Sequence, residues 1–502
     1  MLIRLRKSLF ISIFMSKFYK MLNMEMADIN NENVRLKAEI IVLKRKLDNI
    51  SDKLVSSNCK KKQLQRELKK KRRTENRFEQ RTRTIAFEPI ERHKYSELTV
   101  RLSTFLYTRV NCGLRSVVEV LTIIDEVFEG ILGTVPCYNS IENWVKKCGL
   151  IVYETSGVPL QDTEYAEVID ESMMIGSEKL LLTLGVPAEH QGRPLNCADV
   201  SVLDIAIAES WNGEGVAAQL RKSSEKVGHN PEYVISDNAS IMNKGVRCAE
   251  MNHQHDISHT LGMFLERTYK EMPDFKDYLK LMTESKFKYN MKKLAYLLPP
   301  TQRTIARFIN LSGWVKWSSK MLDIYHTLTE NERKVFSYIP ANASLIDELS
   351  DVTKCIERIE YICKHNGLSK KTICQCQNEI EKYLWCGNLR MIELGKHIVE
   401  FLRKEVNIIS SNLVAHNNSS DIIESIFGKY KGRKSTNKLN GVTPYILFVP
   451  IYARLIDKQK AKTFDFRLAL EEKRMVEIDE WAKENLTPNL VQLRTNKLNE
   501  AV

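Results

Sequence analysis

Glu164-Tyr-Ala-Glu-Val-Ile-Asp-Glu-Ser172, Lys179-Leu-Leu-Leu-Thr-Leu-Gly-Val186 and Ser201-Val-Leu-Asp-Ile-Ala-Ile-Ala-Glu-Ser210 are three runs rich in aliphatic and β-branched residues, divided by turn-forming segments. A helical pattern follows from Gly213 to Lys226. The short run Glu232-Tyr-Val-Ile-Ser236 comes next and ends at Asp237. A second helical stretch covers Ala239 to Glu250, and a strand-like run then reaches Asp256. Three strands, a helix, a strand, a helix and a strand predict an α/β domain built on a mixed five-stranded sheet.

Downstream, from about Leu261 to Leu413, strand signals nearly vanish. Apolar residues recur at helical spacing, as in FKYNMKKLAYLL (287–298) and IDELSDVTKCIERIEYICKH (346–365). The pattern predicts a large all-α insertion over 263–415. It interrupts an α/β core that occupies 160–262 and resumes at 416–450. Cys355, Cys363, His365, Cys374, Cys376 and Cys386 fall inside it, but they contain no C-x-x-C pair, so helix packing is favoured over zinc. Trp314, Trp317 and Trp385 read as core residues of the same insertion.

Upstream, residues 95–155 read as a small helical unit with a helix-turn-helix flavour. Leu114–Ile124 forms one amphipathic helix, and after GTVPC (133–137) comes YNSIENWVKKCGL (138–150). Ile141, Trp144 and Val145 would face a core while Glu142, Asn143, Lys146 and Lys147 face outward, a shape that could enter a major groove. A small three-helix unit without DNA contacts is the alternative.

Further upstream a heptad runs from Ile29 to Leu68. Ile29, Leu36, Leu43, Ile50 and Leu64 take one seam position, and Ile40, Leu47, Leu54 and Leu68 the other. That spacing predicts a dimeric coiled coil within 25–83. Between Lys60 and Arg83 stand 12 Lys or Arg and three Glu, which accounts for most of the chain's net charge of +13. Lys69, Lys70, Lys71, Arg72 and Arg73 are the densest part of this arm. Such an excess suits phosphate contacts, which supply affinity and not sequence choice.

Residues 1–24 form an N-terminal segment whose apolar run is broken by Lys17 and Lys20, unlike a secretory signal. No later stretch approaches the roughly 18 apolar residues of a membrane span. The 11 cysteines of the 502 residues are scattered and odd in number, which fits reduced thiols. The expectation is a cytoplasmic protein with no membrane partner. Residues 451–502 read as a C-terminal helical tail, with the segment beyond Lys458 as a surface helix.

The chemistry is concentrated in three acids. Asp170 follows the apolar run Ala166, Val168, Ile169, and Asp237 caps Tyr233–Ser236. Both would emerge at the carboxyl ends of strands, where open α/β sheets build their sites. Glu424 lies in SSDIIESIFGKYKGRKS (419–435), a helix begun by Ser419, Ser420 or Asp421 and anchored by Ile423, Ile426 and Phe427. Glu171 competes with Asp170, since neighbours on a strand face opposite ways and only one can serve. Lys429, Lys431, Arg433, Lys434 and Lys438 follow Glu424 closely, interleaved with Phe427 and Tyr430, and would put positive charge where DNA phosphates lie.

In IDES (169–172), VISDNAS (234–240), DISH (256–259) and DIIESIFGKYK (421–431) the chain resembles DDE transposases with an RNase H-like core and a helical insertion before the last acid, as in the hAT and Mutator superfamilies. The likeness covers about residues 100–450. It implies an RNase H-like fold and a metal-binding triad of Asp170, Asp237 and Glu424, with Asp256 and His259 as an accessory pair. It further implies Mg²⁺ (or Mn²⁺ as a substitute), cleavage of double-stranded DNA at transposon ends and strand transfer into target DNA at a bacterial nucleoid, while the coiled coil adds the expectation of a homodimer or higher oligomer. The comparison also selects Asp170 over Glu171. A coiled coil is no hallmark of these families, and no BED-type zinc module is visible. The competing expectations are a catalytically silent, transposase-derived DNA-binding regulator and a structural coiled-coil protein with a protein-binding body.

Overall fold

The structure is a computed structural model. It describes residues 15–17, 20–21, 23, 43–44 and 89–500, except 173, 301–307, 309–310, 409–412, 435–436 and 489. The chain divides into two compact units, Met1–Ile85 and Ala86–Val502. The heptad and basic arm, with Lys69, Lys70, Lys71, Arg72 and Arg73, lie outside the described residues apart from Leu43 and Lys44, which are helical.

In the second unit, β1 (Tyr165–Glu171), β2 (Lys179–Pro187), β3 (Ser201–Ala208), β4 (Val234–Ser236) and β5 (His253–His255) form one mixed sheet in the order β3-β2-β1-β4-β5. Hairpin-like connections make β1, β2 and β3 antiparallel neighbours. Helical crossovers then bring β4 in parallel to β1, and β5 parallel to β4. The crossover helices are α4 (Gly213–Val227) and α5 (Ser240–Cys248), numbered after three N-terminal helices. The Asn212 side chain caps α4 by accepting from the Gly215 amide at 2.8 Å, and Gly228, at φ +100°, closes it in the left-handed region.

Alternation sorts the strand residues onto two faces. Ile169, Leu181, Ala206 and Val234 meet Val216 and Leu220 of α4 and Met242 and Val246 of α5. Ala166, Val168, Leu182, Leu184 and Ile235 face the other way, into the largest core. With both faces covered, the strands read as nearly unbroken apolar runs.

That larger core overturns two readings of the sequence. The helices α1 (Glu97–Thr108), α2 (Leu114–Val127) and α3 (Tyr138–Glu154) are not a separate unit, because Tyr107, Val117, Trp144 and Cys148 share one core with the sheet. Nor is the segment beyond Lys458 only a surface helix: Phe466, Leu470, Ile478 and Trp481 are buried in the same core. The N-terminal helices are roofed by residues some 300 positions away, a pairing that local periodicity cannot reveal.

Between β5 and Asp421 the chain builds a helical body with a core of its own. Its longer helices are α6 (Ile257–Tyr269), α7 (Pro273–Tyr289), α8 (Leu311–Ile324), α9 (Ala343–Asn366), α10 (Lys370–Tyr383) and α11 (Leu389–Val406). Trp314, Cys355, Cys363 and Cys376 are core residues there, while His365 stacks on Tyr361 with centroids 4.0 Å apart. Trp317 packs at the margin and donates its indole N–H to the Leu297 carbonyl at 3.1 Å, and Trp385 is 38% exposed. Beyond the insertion come α12 (Asp421–Lys431), α13 (Phe448–Ile456), α14 (Phe466–Glu472) and α15 (Met475–Asn485).

Candidate active site

The register of the parallel pair decides where two of the acids meet. Val168 lies opposite Ile235 across β1 and β4. Two residues further along each strand stand Asp170 and Asp237, level with each other at the carboxyl end of the sheet. Asp170 shares a face with Val168, whereas Glu171 turns to the opposite face, where its carboxylate pairs with Lys179 Nζ at 2.6 Å. The two neighbours thus take opposite faces of the sheet, Asp170 on the side of Ala166 and Val168 and Glu171 on the side of Lys179.

Glu424 arrives from far along the chain and its position is over-determined. His416 pairs with Leu368 and with Glu189, and the Asn417 amide donates to the buried Tyr233 hydroxyl at 2.8 Å. The Asn417 side chain donates to the Pro187 carbonyl at 2.9 Å, and the Asn418 carbonyl accepts from the Ile257 amide at 2.9 Å. This strap delivers Ser420, the N-cap of α12. Ile423 and Phe427 then bury themselves against the β1 side of the sheet, leaving Glu424 exposed in the first turn.

Asp256 locks the arrangement from below. It is fully buried and caps α6, one oxygen accepting from the His259 amide at 2.7 Å. The other oxygen accepts from the Ser420 amide at 2.7 Å and the Ser420 hydroxyl at 3.0 Å. Burial pushes this carboxyl up, opposed by the nearby His259 charge and by the two amides. A single side chain therefore fixes the starts of two helices, one carrying His259 and the other Glu424. His259 Nε2 lies 3.3 Å from Glu424 Oε1.

The electrostatics join these groups into one cluster. Burial raises Asp170 from 3.8 to about 7, and the charges of Asp237 and Glu424 push the same way while His259 opposes them. Asp170 keeps some exposed surface, yet the atoms around it strip most of the water from its carboxylate. The hydrogen bond to Glu424, with help from Asp256 and Asp237, raises His259 to about 9, so at neutral pH it is an imidazolium. Glu424 is held low, first by that same bond and then by the charges of Lys364 and Lys431.

Among the described residues, no three Asp, Glu, His or Cys side chains converge into a ready-made cage for a metal ion. Glu424 is paired instead with the His259 imidazolium, 3.3 Å away. The arrangement is an electrostatically connected cluster of Asp170, Asp237, Glu424 and His259.

Of the expected DNA-contacting residues, Lys431 belongs to this cluster, since it lies in the fields of Asp170 and Glu424 and partial burial lowers it. Lys434 is beside it, and Lys429 is exposed on the same helix. Arg433 is engaged elsewhere. Its guanidinium donates to the Tyr107 carbonyl at 2.6 Å and to Asn111 Oδ1 at 2.6 and 3.1 Å, stacked over Tyr107 and Phe448. It fastens the end of α12 to α1 and α13.

The reading of α3 as a groove-entering helix is corrected. Seven of its 17 residues are buried, Asn143 is half-buried, and Lys146 is paired with Glu142 at 2.5 Å. Partial burial lowers Lys147, which sits near Glu477 of α15. Gly149 lies so close to the 447–448 backbone that a Cβ there would stand 2.0 Å from the Leu447 carbonyl oxygen. A helix enclosed on this many sides is a core strut.

Two contributors escaped the sequence reading. Lys364, on α9 of the insertion, pairs with Asp421 at 2.6 Å and adds charge beside Glu424. Glu405, on α11, is fully buried and accepts from Gln254 Nε2 at 2.7 Å and the His255 amide at 2.9 Å, clamping the insertion to β5. Neither has a local sequence signal, because each acts on a partner more than 50 residues away.

No known family model matches the chain, and no curated protein is detectably similar to it.

Proposed function

We propose that the protein is a DNA transposase of the DDE type whose core is RNase H-like. The strand order 3-2-1-4-5, with only β2 reversed against its parallel neighbours β1, β4, β5 and its partner β3, supports that fold, as does the helical body inserted ahead of the last acid. One observation carries the functional reading: Asp170 and Asp237 end neighbouring parallel strands at the same level, and Glu424 is held within their electrostatic reach on a separately anchored helix.

The donor chemistry fits a hard divalent cation. Asp170 is held far above an ordinary carboxylate by burial and by Asp237, and a nearby positive ion would relieve both effects. Asp170, Asp237 and Glu424 are the residues that would hold Mg²⁺, or Mn²⁺ in its place. When bound, such an ion supplies activation of a water or 3′ hydroxyl and stabilises charge on the phosphate. The chain's own groups do the rest. Asp256 sets the two helix starts, the His259 imidazolium holds Glu424 in reserve, and Lys431 and Lys364 offset negative charge where a DNA phosphate would enter. Cytoplasmic, nucleoid-associated action on double-stranded DNA, by a dimer paired through the N-terminal heptad, belongs to the same proposal. Among the described residues no helix is long and apolar enough to cross a membrane.

The test is Mg²⁺-dependent cleavage of DNA carrying the ends of the element that encodes the chain, or of a supercoiled plasmid bearing them. Wild type should nick the ends in Mg²⁺ or Mn²⁺ and not in EDTA, while Asp237→Ala and Glu424→Ala should bind the ends but lose cleavage by at least 100-fold. Normal cleavage by Glu424→Ala would remove that residue from the site. Tight end binding without cleavage by wild type would replace the enzyme with a DNA-binding regulator.

A further inference from the structure

Helix α7 carries an apolar stripe of Phe275, Tyr278, Met282 and Ser285, which is buried in the core of the insertion. At 100° per residue, Phe287 stands about 200° around the helix from Ser285, on the opposite side. It is 91% exposed, and Met291, four residues on, is 96% exposed. Among the described residues these are the two most exposed large apolar side chains, and Tyr296, 75% exposed, follows them along the chain.

The surroundings are basic. From Lys280 to Lys293 there are five lysines and one acid, Glu284. Lys288 and Lys292 lie 5.5 and 5.0 Å from the centroid of the Tyr289 ring. The tip is built and not loose: Lys286 Nζ donates to the Pro299 carbonyl at 3.1 Å, and the Trp317 indole donates to Leu297 at 3.1 Å, closing the segment on itself.

We infer that this tip of the insertion, Phe287, Lys288, Met291, Lys292 and Lys293, is a second nucleic-acid contact, gripping phosphates with its lysines and inserting Phe287 and Met291 against unstacked bases. Interleaved cations and exposed flat or flexible apolar groups match a strand whose backbone is uniformly negative and whose bases offer apolar faces. The inference rests on the proposed function for its choice of DNA as the polyanion. It adds that the insertion meets DNA at a place where strands are distorted or unpaired.

The experiment compares the full chain with Lys288→Gln/Lys292→Gln/Lys293→Gln and with Phe287→Ala/Met291→Ala. The probes are a fluorescent duplex and the same duplex with a central unpaired segment, titrated at several salt concentrations. All substituted residues are exposed, and thermal unfolding checks that both variants fold. The triple variant should flatten the slope of log affinity against log salt by about two to three. The double variant should bind the unpaired probe roughly tenfold or more weakly and the perfect duplex nearly as well. Wild-type affinity and slope in both variants would overturn the inference. So would a loss confined to phosphatidylserine vesicles, which would assign the tip to a membrane surface. Reduced DNA binding by the variants, in a protein whose wild type never cuts DNA, would uphold the tip and sink the transposase. Normal cutting with unaltered variants would do the reverse.

Discussion

Asp170→Asn separates the two demands that the cluster places on one carboxylate. The acid is held at about 7 in the folded protein against an ordinary 3.8. A raised carboxylate means that the folded chain retains a proton the unfolded chain has lost. Stability contributed by that proton is fully present below pH 4 and drains away as pH climbs through 7. At about 1.4 kcal/mol per pH unit, the gap is worth at most about 4 kcal/mol. Residual water contact at Asp170 brings the expectation to about 2–4 kcal/mol. Asparagine carries no charge, so in EDTA the variant should match wild type near pH 4. It should become more stable by that amount at pH 7.5 and above, read from urea unfolding of the 86–502 body. Adding Mg²⁺ should stabilise wild type, by about 2.7 kcal/mol at a hundred times its dissociation constant, and leave the variant nearly unmoved. Cleavage should fall by at least 100-fold in the same variant. A stability difference that does not change with pH, or an Asn variant less stable than wild type at pH 7.5, would refute the dehydrated, mutually repelling pair on which the site is built.

Asp256→Asn keeps the cap on α6 but presents an amide N–H to the Ser420 N–H and hydroxyl. Folding should weaken by about 2–4 kcal/mol, since buried donors lose their acceptor. Because the start of α12 would loosen, cleavage should drop more than DNA binding does, and a fall in both by equal factors would argue against a positioning role. Gly149→Ala should lower the thermal midpoint by several degrees through overlap with Leu447, a cost of about 1–3 kcal/mol. An unchanged midpoint would mean that α3 is not packed as described.

The strands and their order were legible because a sheet covered on both faces writes itself as apolar runs bounded by turns, and Tyr165–Glu171 and Lys179–Pro187 do so plainly. The insertion was legible for the complementary reason, a long stretch with helical spacing and no such run. Asp170 and Asp237 could be nominated because each ends a strand, but alternation alone left Asp170 and Glu171 open, since the face each takes is defined by the partner strand and Lys179. Helix α3 misled because Lys146 and Lys147 give it a polar edge. In the structure Lys146 is tied to Glu142 of its own helix, and Lys147 is partly buried near Glu477 of α15, whose apolar residues look, in isolation, like an ordinary surface stripe. Arg433 misled in the same manner. A guanidinium beside a proposed site reads as a phosphate ligand until the carbonyl of Tyr107 and the amide of Asn111, more than 300 residues away, are seen to hold it.

The strap and Asp256 explain how the helix that carries Glu424 can follow so large an insertion without losing its place. The chain leaves the sheet at Asp256 and returns at Ser420, and these two residues are hydrogen-bonded to each other, with Ile257 and Asn418 bonded beside them. The insertion is thus a loop closed at its base by the same contacts that aim Glu424. Closing a loop costs only about 0.6 kcal/mol more for each doubling of its length, so the size of the helical body adds little strain at the junction. Glu405 adds a second clasp by tying α11 to the β5 edge. Motion within the insertion is therefore filtered through two fixed points before it can reach the acids. The same body can therefore carry an exposed tip at Phe287 while the start of α12, with Glu424, stays fixed by Asp256.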